Sequence, residues 1–301
     1  MPNTYFRTAS GQTIFYPGDS GPGNEWFVSS VVGTVGNSGK DWEHAVATID
    51  AGINLASAGD RVIVAPNHAE SVAAANGFDL DVAGVEVCGI RRGRLMPTIT
   101  FTTAVGADVK IAGIGSGIRN LRFLGGFDAL TGPIEVSGVA DAYIIDCEYR
   151  DVTGEATDII HATNNSDRLL IDGFRCMGAA GAGGNTAIAL DGCDDVIVRN
   201  FDIYGNFALG AIEFRTTLSA RVWIHDGHIT TAHANDLCIK DLITGSTGHI
   251  GPNLYLETAD DAETITEAIT GATFSLFDPI YVNNAVAEKA MLIDWTAATQ
   301  A

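Results

Sequence analysis

Positive charge is what this chain has least of. Its 17 Lys and Arg stand against 37 Asp and Glu, a formal net charge of −20 over 301 residues. Nucleic acids and anionic lipid surfaces are held by clustered Lys and Arg, so neither is expected as a partner. Solubility alone accounts for the acidic excess. Long apolar runs are also missing. No stretch approaches the roughly 18 uninterrupted apolar residues of a membrane span. The opening MPNTYFRTASGQTIFYPG has no basic start followed by an apolar core, so no secretory signal is expected. Cysteines are few and odd in number: Cys88, Cys147, Cys176, Cys193 and Cys238. They lack metal-type spacing and sit in or beside strand-like segments. They read as buried free thiols of a protein made in a reducing compartment. There is no phosphate loop, no Gly-x-Ser-x-Gly and no basic-aromatic stripe, and no cofactor is expected. Proline is sparse (8) while glycine is frequent (35), which suits many short strands joined by tight bends.

What is present is a spaced repeat. The segments opening at Ile118, Ile145, Ile171, Val198, Ile224 and Ile250 are 27, 26, 27, 26 and 26 residues apart. Every opening residue is β-branched. A small or bend-forming residue follows two positions later: Asn120, Cys147, Gly173, Asn200, Asp226, Pro252. A fixed period of this size means stacked supersecondary units. The strand-like content points to an all-β parallel β-helix rather than a helical solenoid.

Outside the repeat, residues 1–25 read as an extended N-terminal arm. Residues 43–58 place Val46, Ile49, Ile53 and Ala56 at helical spacing, and Gly59 stops that helix. Val62–Ala65 is a short buried strand closed by Pro66, and further strands fit at 85–88 and 98–101. After Glu257 the period is lost. A short helix fits 260–269, and 258–301 reads as a separate C-terminal cap or assembly segment.

The stretch ATIDAGINLASAGDRVIVAP (47–66) resembles the opening of right-handed parallel β-helix proteins of the pectate-lyase-like superfamily. There an amphipathic helix covers the open end of the coil, and a Gly-Asp turn leads into the first strand. The following NHAES (67–71) resembles that superfamily's Pro-Gly-X-Tyr-X-Glu-type turn, with Asn67 where Gly is usual. Together with WFVSS (26–30) and the rungs, the pattern is similar to β-helix proteins of tailed bacteriophages, over roughly 26–257. The resemblance implies a right-handed β-helix with an N-terminal capping helix.

In a β-helix, equivalent residues of successive rungs stack about 4.8 Å apart, so the repeat reads down columns. The six opening residues form the expected inward stack. The column one position earlier should face outward, yet it contains Ile144, Leu170, Ile197 and Trp223. These four are candidates for a subunit interface. A covering loop or arm, or a one-residue error of parity, is the alternative, and the interface is the reading preferred by a small margin. The column one position later holds Asp146 and Asp172 as expected neighbours, the spacing of the two acids of a retaining glycosidase. Arg119 and Arg199 flank them, and a self-neutralising ladder on a flat strand face is the preferred reading.

Asp194–Asp195 and Gly227–His228 match fragments of polygalacturonase motifs, but the Asn-Thr-Asp and Arg-Ile-Lys partners are absent. His225, His228 and His233 with Asp226 and Asp236 are candidate metal ligands. His225 and His228 fall on opposite faces of a strand, however, which is poor chelating geometry, so no metal site is expected. The expectation is therefore a non-enzymatic structural subunit of a tailed-phage virion (a spike, fibre or decoration protein) made in the host cytoplasm. Its partners would be its own copies, as a trimer, and other virion proteins. The alternative is a tailspike-like protein that degrades or binds a host glycan, in which Asp146 and Asp172 would be the first catalytic candidates.

Overall fold

The computed structural model describes residues 6–7, 13–14, 23–179, 184–232, 238–258, 269–270, 273–284 and 291–292. They form an all-β parallel solenoid of about eight turns, as expected of a right-handed parallel β-helix. A full turn supplies three strands, for example Tyr143–Ile145, Glu148–Asp151 and Asp158–Ala162. The first two strands of each turn belong to an 18-stranded sheet that bends between them, and the third belongs to an eight-stranded sheet.

The core is a set of inward columns. The first runs Val62, Val87, Ile118, Ile144, Ile171, Val198, Ile224, Ile250, and all eight are fully buried. The sequence repeat places Ile145 in this stack and Ile144 outside it. The structure reverses the two: Ile144 is 0 % exposed, and Ile145 pairs with Arg119 and Asp172 on the outer face. The reason is the bend. Asn120, Asp146, Gly173, Asn200, Asp226 and Asn253 all hold φ between 52° and 73°, a left-handed conformation that Gly, Asn and Asp tolerate best. The bend residue after the Ile-Ile pair is thus Asp146, not Cys147, and after Ile250 it is Asn253, not Pro252.

A second left-handed column, Gly59, Gly84, Gly115, Asp141, Arg168, Asp195, Arg221, turns the chain into the first strand of each rung. Its backbone N–H groups bond to carbonyls of the next rung, as in Asp141 N to Asp167 O at 2.8 Å and Arg168 N to Asp194 O at 2.7 Å. Where the glycines stop, the side chains alternate in sign: Arg168 pairs with Asp141 and Arg221 with Asp195, each at 2.6 Å.

At the N-terminal end the capping helix is shorter than its periodicity predicts, Ile49–Ile53, with Thr48 as its N-cap. Val46 is instead extended and bridges to Val28. That backbone pairing wins because the first strand, Glu25–Val28, would otherwise have an open edge. Ile49 and Ile53 are buried over the coil. Gly52 is required there, since a Cβ would lie 2.8 Å from methyls of both Val28 and Val62. The NHAES turn is tied into the cap. His68 Nδ1 accepts from Ser30 N at 3.0 Å, and its Nε2 faces Glu70 Oε2 at 3.0 Å. The same oxygen accepts from Ile49 N at the start of the helix.

At the other end the coil does not stop at Glu257. Thr273–Leu276 and Ile280–Asn284 pair in parallel with Thr247–Ile250 and Leu254–Thr258, 26 residues further on. The rung escapes the sequence pattern because Leu276, which stands under Ile250, is not β-branched. The expected helix at 260–269 lies outside the described residues except Ile269, which is in a strand. Most of the expected N-terminal arm, residues 1–25, is likewise outside them. Phe6–Arg7 and Thr13–Ile14 pair antiparallel, and Glu25 already belongs to the coil.

Candidate functional site

Where the first and second strands meet at the left-handed bend, the outer surface carries a groove of about 410 Å³. One wall is the loop after Glu86–Gly89, including the 3-10 turn Gly93–Leu95. Asn120 ties that loop down by donating to the carbonyls of Gly89 and Arg91 at 2.6 and 2.9 Å. The floor and far wall carry three carboxylates, Asp146, Glu148 and Asp172, beside Arg92 and Arg175. The flat face expected around the acids is therefore a groove. Its two leading acids also enter it from different positions. Asp172 is on a strand and pairs with Ile145, while Asp146 is at the bend and donates its N–H to the Asp172 carbonyl at 2.8 Å.

Each carboxylate in the groove is held. Arg92 pairs with Asp146. Arg122 donates to Glu148 at 2.9 Å, with Arg150 at 3.3 Å. Asp172 accepts from Arg199 at 2.9 Å and Asn200 at 2.7 Å.

The outward column at the start of the first strands, two residues after the second left-handed column, reads Gly117, Tyr143, Leu170, Ile197, Trp223, His249. Of the four interface candidates, Leu170, Ile197 and Trp223 stand in it. Ile144 does not, and Tyr143 takes its place. Tyr143 lies over Gly117, where a Cβ would come within 2.4 Å of its ring. Trp223 is 41 % exposed, donates Nε1–H to the Gly251 carbonyl at 2.8 Å and tilts over His225 at 4.3 Å.

The remaining candidates are dispersed. His225 is buried against Asp226 at 2.5 Å, whereas His228 is on the second strand, 3.5 Å from Asp202. His233 and Asp236 lie outside the described residues. Among the described residues no three His, Cys, Asp or Glu side chains converge as metal ligands. Asp194 and Asp195 belong to the ion-pair ladder with Arg221, and Gly227 makes room for the Phe201 ring.

One cluster was not visible in the sequence. Arg215 bridges Asp158, at 2.8 and 2.9 Å, and the fully buried Glu213, at 2.6 Å. Burial pushes the Glu213 carboxyl up and Asp158 adds to this, against the pull of Arg215. Asp158 and Arg215 are 57 residues apart, and only the rung register brings them together.

No protein-family model matches the chain. No curated protein matches it either. Among solved structures, the catalytic domain of a GH87 alpha-1,3-glucanase, in complex with tetrasaccharides, is similar to it. The identity is 14%, over 79% of this chain, with a TM-score of 0.34. The chain spans 56% of that domain's length, and the likeness is one of fold alone.

Proposed function

We propose that this protein is a non-enzymatic structural subunit of a tailed-phage particle, made in the host cytoplasm and assembled as a homotrimer alongside other virion proteins. The observation that carries the reading is the outward column at the start of the first strands. Tyr143, Leu170, Ile197 and Trp223 present large, largely apolar groups on four consecutive rungs, with Trp223 well exposed. Outward strand positions are ordinarily polar when they face water, and an apolar row on a long prism is suited to packing against another prism. Covering such side chains is worth roughly 1.5–3 kcal/mol each for full burial, before the cost of association. A three-fold arrangement closes the contacts around one axis. The groove is compatible with the same reading, since its acids are engaged by arginine and asparagine side chains of the protein itself.

Sedimentation analysis tests the assembly. Wild type should sediment as an oligomer at micromolar concentration. Trp223→Glu should keep its strands by circular dichroism but shift toward monomer or aggregate. A monomeric wild type, or a variant that assembles normally, would defeat the reading. The enzymatic alternative has its own check: the purified protein should not depolymerise host surface polysaccharide. If it does, and Asp146→Asn or Asp172→Asn abolishes that with the fold intact, the groove is catalytic.

A further inference from the structure

A second exposed surface lies on the other side of the bend, on the second strands of the last rungs. Register places Asp202, His228, Tyr255 and Tyr281 side by side on four successive rungs. One residue pair further along, Tyr204 and Thr230 are neighbours, with Glu257 next to Thr230. Tyr204, Tyr255 and Tyr281 are 38 %, 37 % and 38 % exposed. His228 meets Tyr255 edge-on with centroids 4.9 Å apart. Thr230 Oγ1 donates to Glu257 at 3.0 Å. Asp202 is largely open to solvent, and Glu257 partly so.

The character of these columns changes along the axis. In the earlier rungs they hold Arg122, Glu148 and Arg175, then Leu124, Arg150 and Met177. From Asp202 onward they hold tyrosines, a histidine, a threonine and two carboxylates, with no Lys or Arg. The surface is therefore acidic and aromatic in one place, and three tyrosines are spent where a solvated strand would carry Thr, Lys or Glu.

We propose that this strip docks an arginine-bearing polypeptide segment of a partner protein. Two properties of guanidinium match the two properties of the strip. Its planar cation stacks on the negative face of an aromatic ring, and its forked N–H groups pair with carboxylates. Tyrosine supplies contact area at little conformational cost and is enriched at protein interfaces. Charge selects the occupant. The strip's two acids repel phosphate and uronate ligands, and the net charge of −20 sets a second copy of this chain against it on average. This surface is separate from the Tyr143–Trp223 column, so self-assembly and partner docking can fail independently.

The test uses the full chain and an acetylated, amidated peptide alternating Arg and Ser, with binding followed by calorimetry. Because an acidic protein attracts any polycation, the deciding variants change no charge. Tyr255→Ala and Tyr281→Ala should each weaken binding about two- to five-fold, the size of an exposed cation–π contact, with circular dichroism unchanged. Replacing Arg by Lys in the peptide should weaken binding, and Asp141→Asn, remote from the strip, should have little effect. Equal affinity for wild type and both tyrosine variants would overturn the proposal, since binding would then be general charge attraction. So would a neutral tetrasaccharide that binds wild type and is lost in Tyr255→Ala, because the strip would then be a glycan platform.

Discussion

Ile171 shows how much one side chain carries here. It is fully buried between Ile144 and Val198, with no solvent on either side of its rung. Ile171→Ala removes contacts that stacked strands cannot easily close over and should cost about 2–5 kcal/mol, read from the urea midpoint. Ile171→Asp leaves an unpaired charge in the column and should yield no folded protein. The cysteines carry a different residue-level signature. All five are free and buried. Burial pushes Cys88 up to about 11, and Cys147 and Cys193 up to about 12. Native protein at pH 8 should therefore react slowly with a thiol reagent, while unreduced denatured protein should show five thiols. Fewer than five would reveal a disulfide and undercut synthesis in a reducing compartment.

At the scale of elements, the first strand, Glu25–Val28, is fastened through Asp60. Burial pushes that carboxyl up, but donors from Ser57 N, Trp26 Nε1 and Asn24 outweigh it and hold its pKa below the ordinary range. A depressed acid contributes stability that is complete above its unfolded pKa and is lost as pH falls through the lower folded value. The first strand should therefore loosen only under strong acid. Asp60→Asn, which turns two of its acceptors into one, should loosen it at neutral pH by about 1–3 kcal/mol. Hydrogen exchange at residues 24–28 measures both effects, and a variant protected like wild type at neutral pH would refute the assignment. The same elements show what could be read beforehand. The 26-residue period and the strand content were enough for the solenoid. Parity at Ile144–Ile145 was not, because two isoleucines in a row fit the stack equally well and only the left-handed preference of Asp146 separates them. That one-residue slip removed Ile144 from the outer column and parted Asp146 from the Asp172 column. The groove was illegible for another reason: its wall is a loop held by Asn120 to carbonyls about 30 residues back. The last rung was hidden by one leucine.

For the whole molecule, the controlling fact is that backbone pairing joins each rung only to its neighbours, with a few side-chain pairs such as Arg92–Asp146 and Arg215–Asp158 reaching across one rung, so stability is close to a sum of rung and interface terms. Deleting residues 170–196, one full turn, would join Leu169 to Ile197. It would set Tyr143 beside Ile197, Ile144 beside Val198, Tyr149 beside Ile203 and Ile160 beside Ile212. Each new neighbour pair repeats the register of the pairs it replaces. Asp158 would come onto the rung adjoining Arg215, its present partner across one rung. The main local cost is that Arg168 would stand beside Arg221 without Asp195 between them. Both arginines are well exposed, so solvent screens their repulsion and the cost is small. The shortened protein should therefore keep its strand spectrum and melt cooperatively at a somewhat lower temperature. Deleting only 170–182 removes a similar kind of sequence but half a turn. It would lay second-sheet residues against first-sheet columns and turn apolar side chains outward, so no folded product is expected. If both deletions fold, or neither does, long-range contacts beyond the neighbouring rungs hold the coil together, and the one-dimensional account of its stability is wrong.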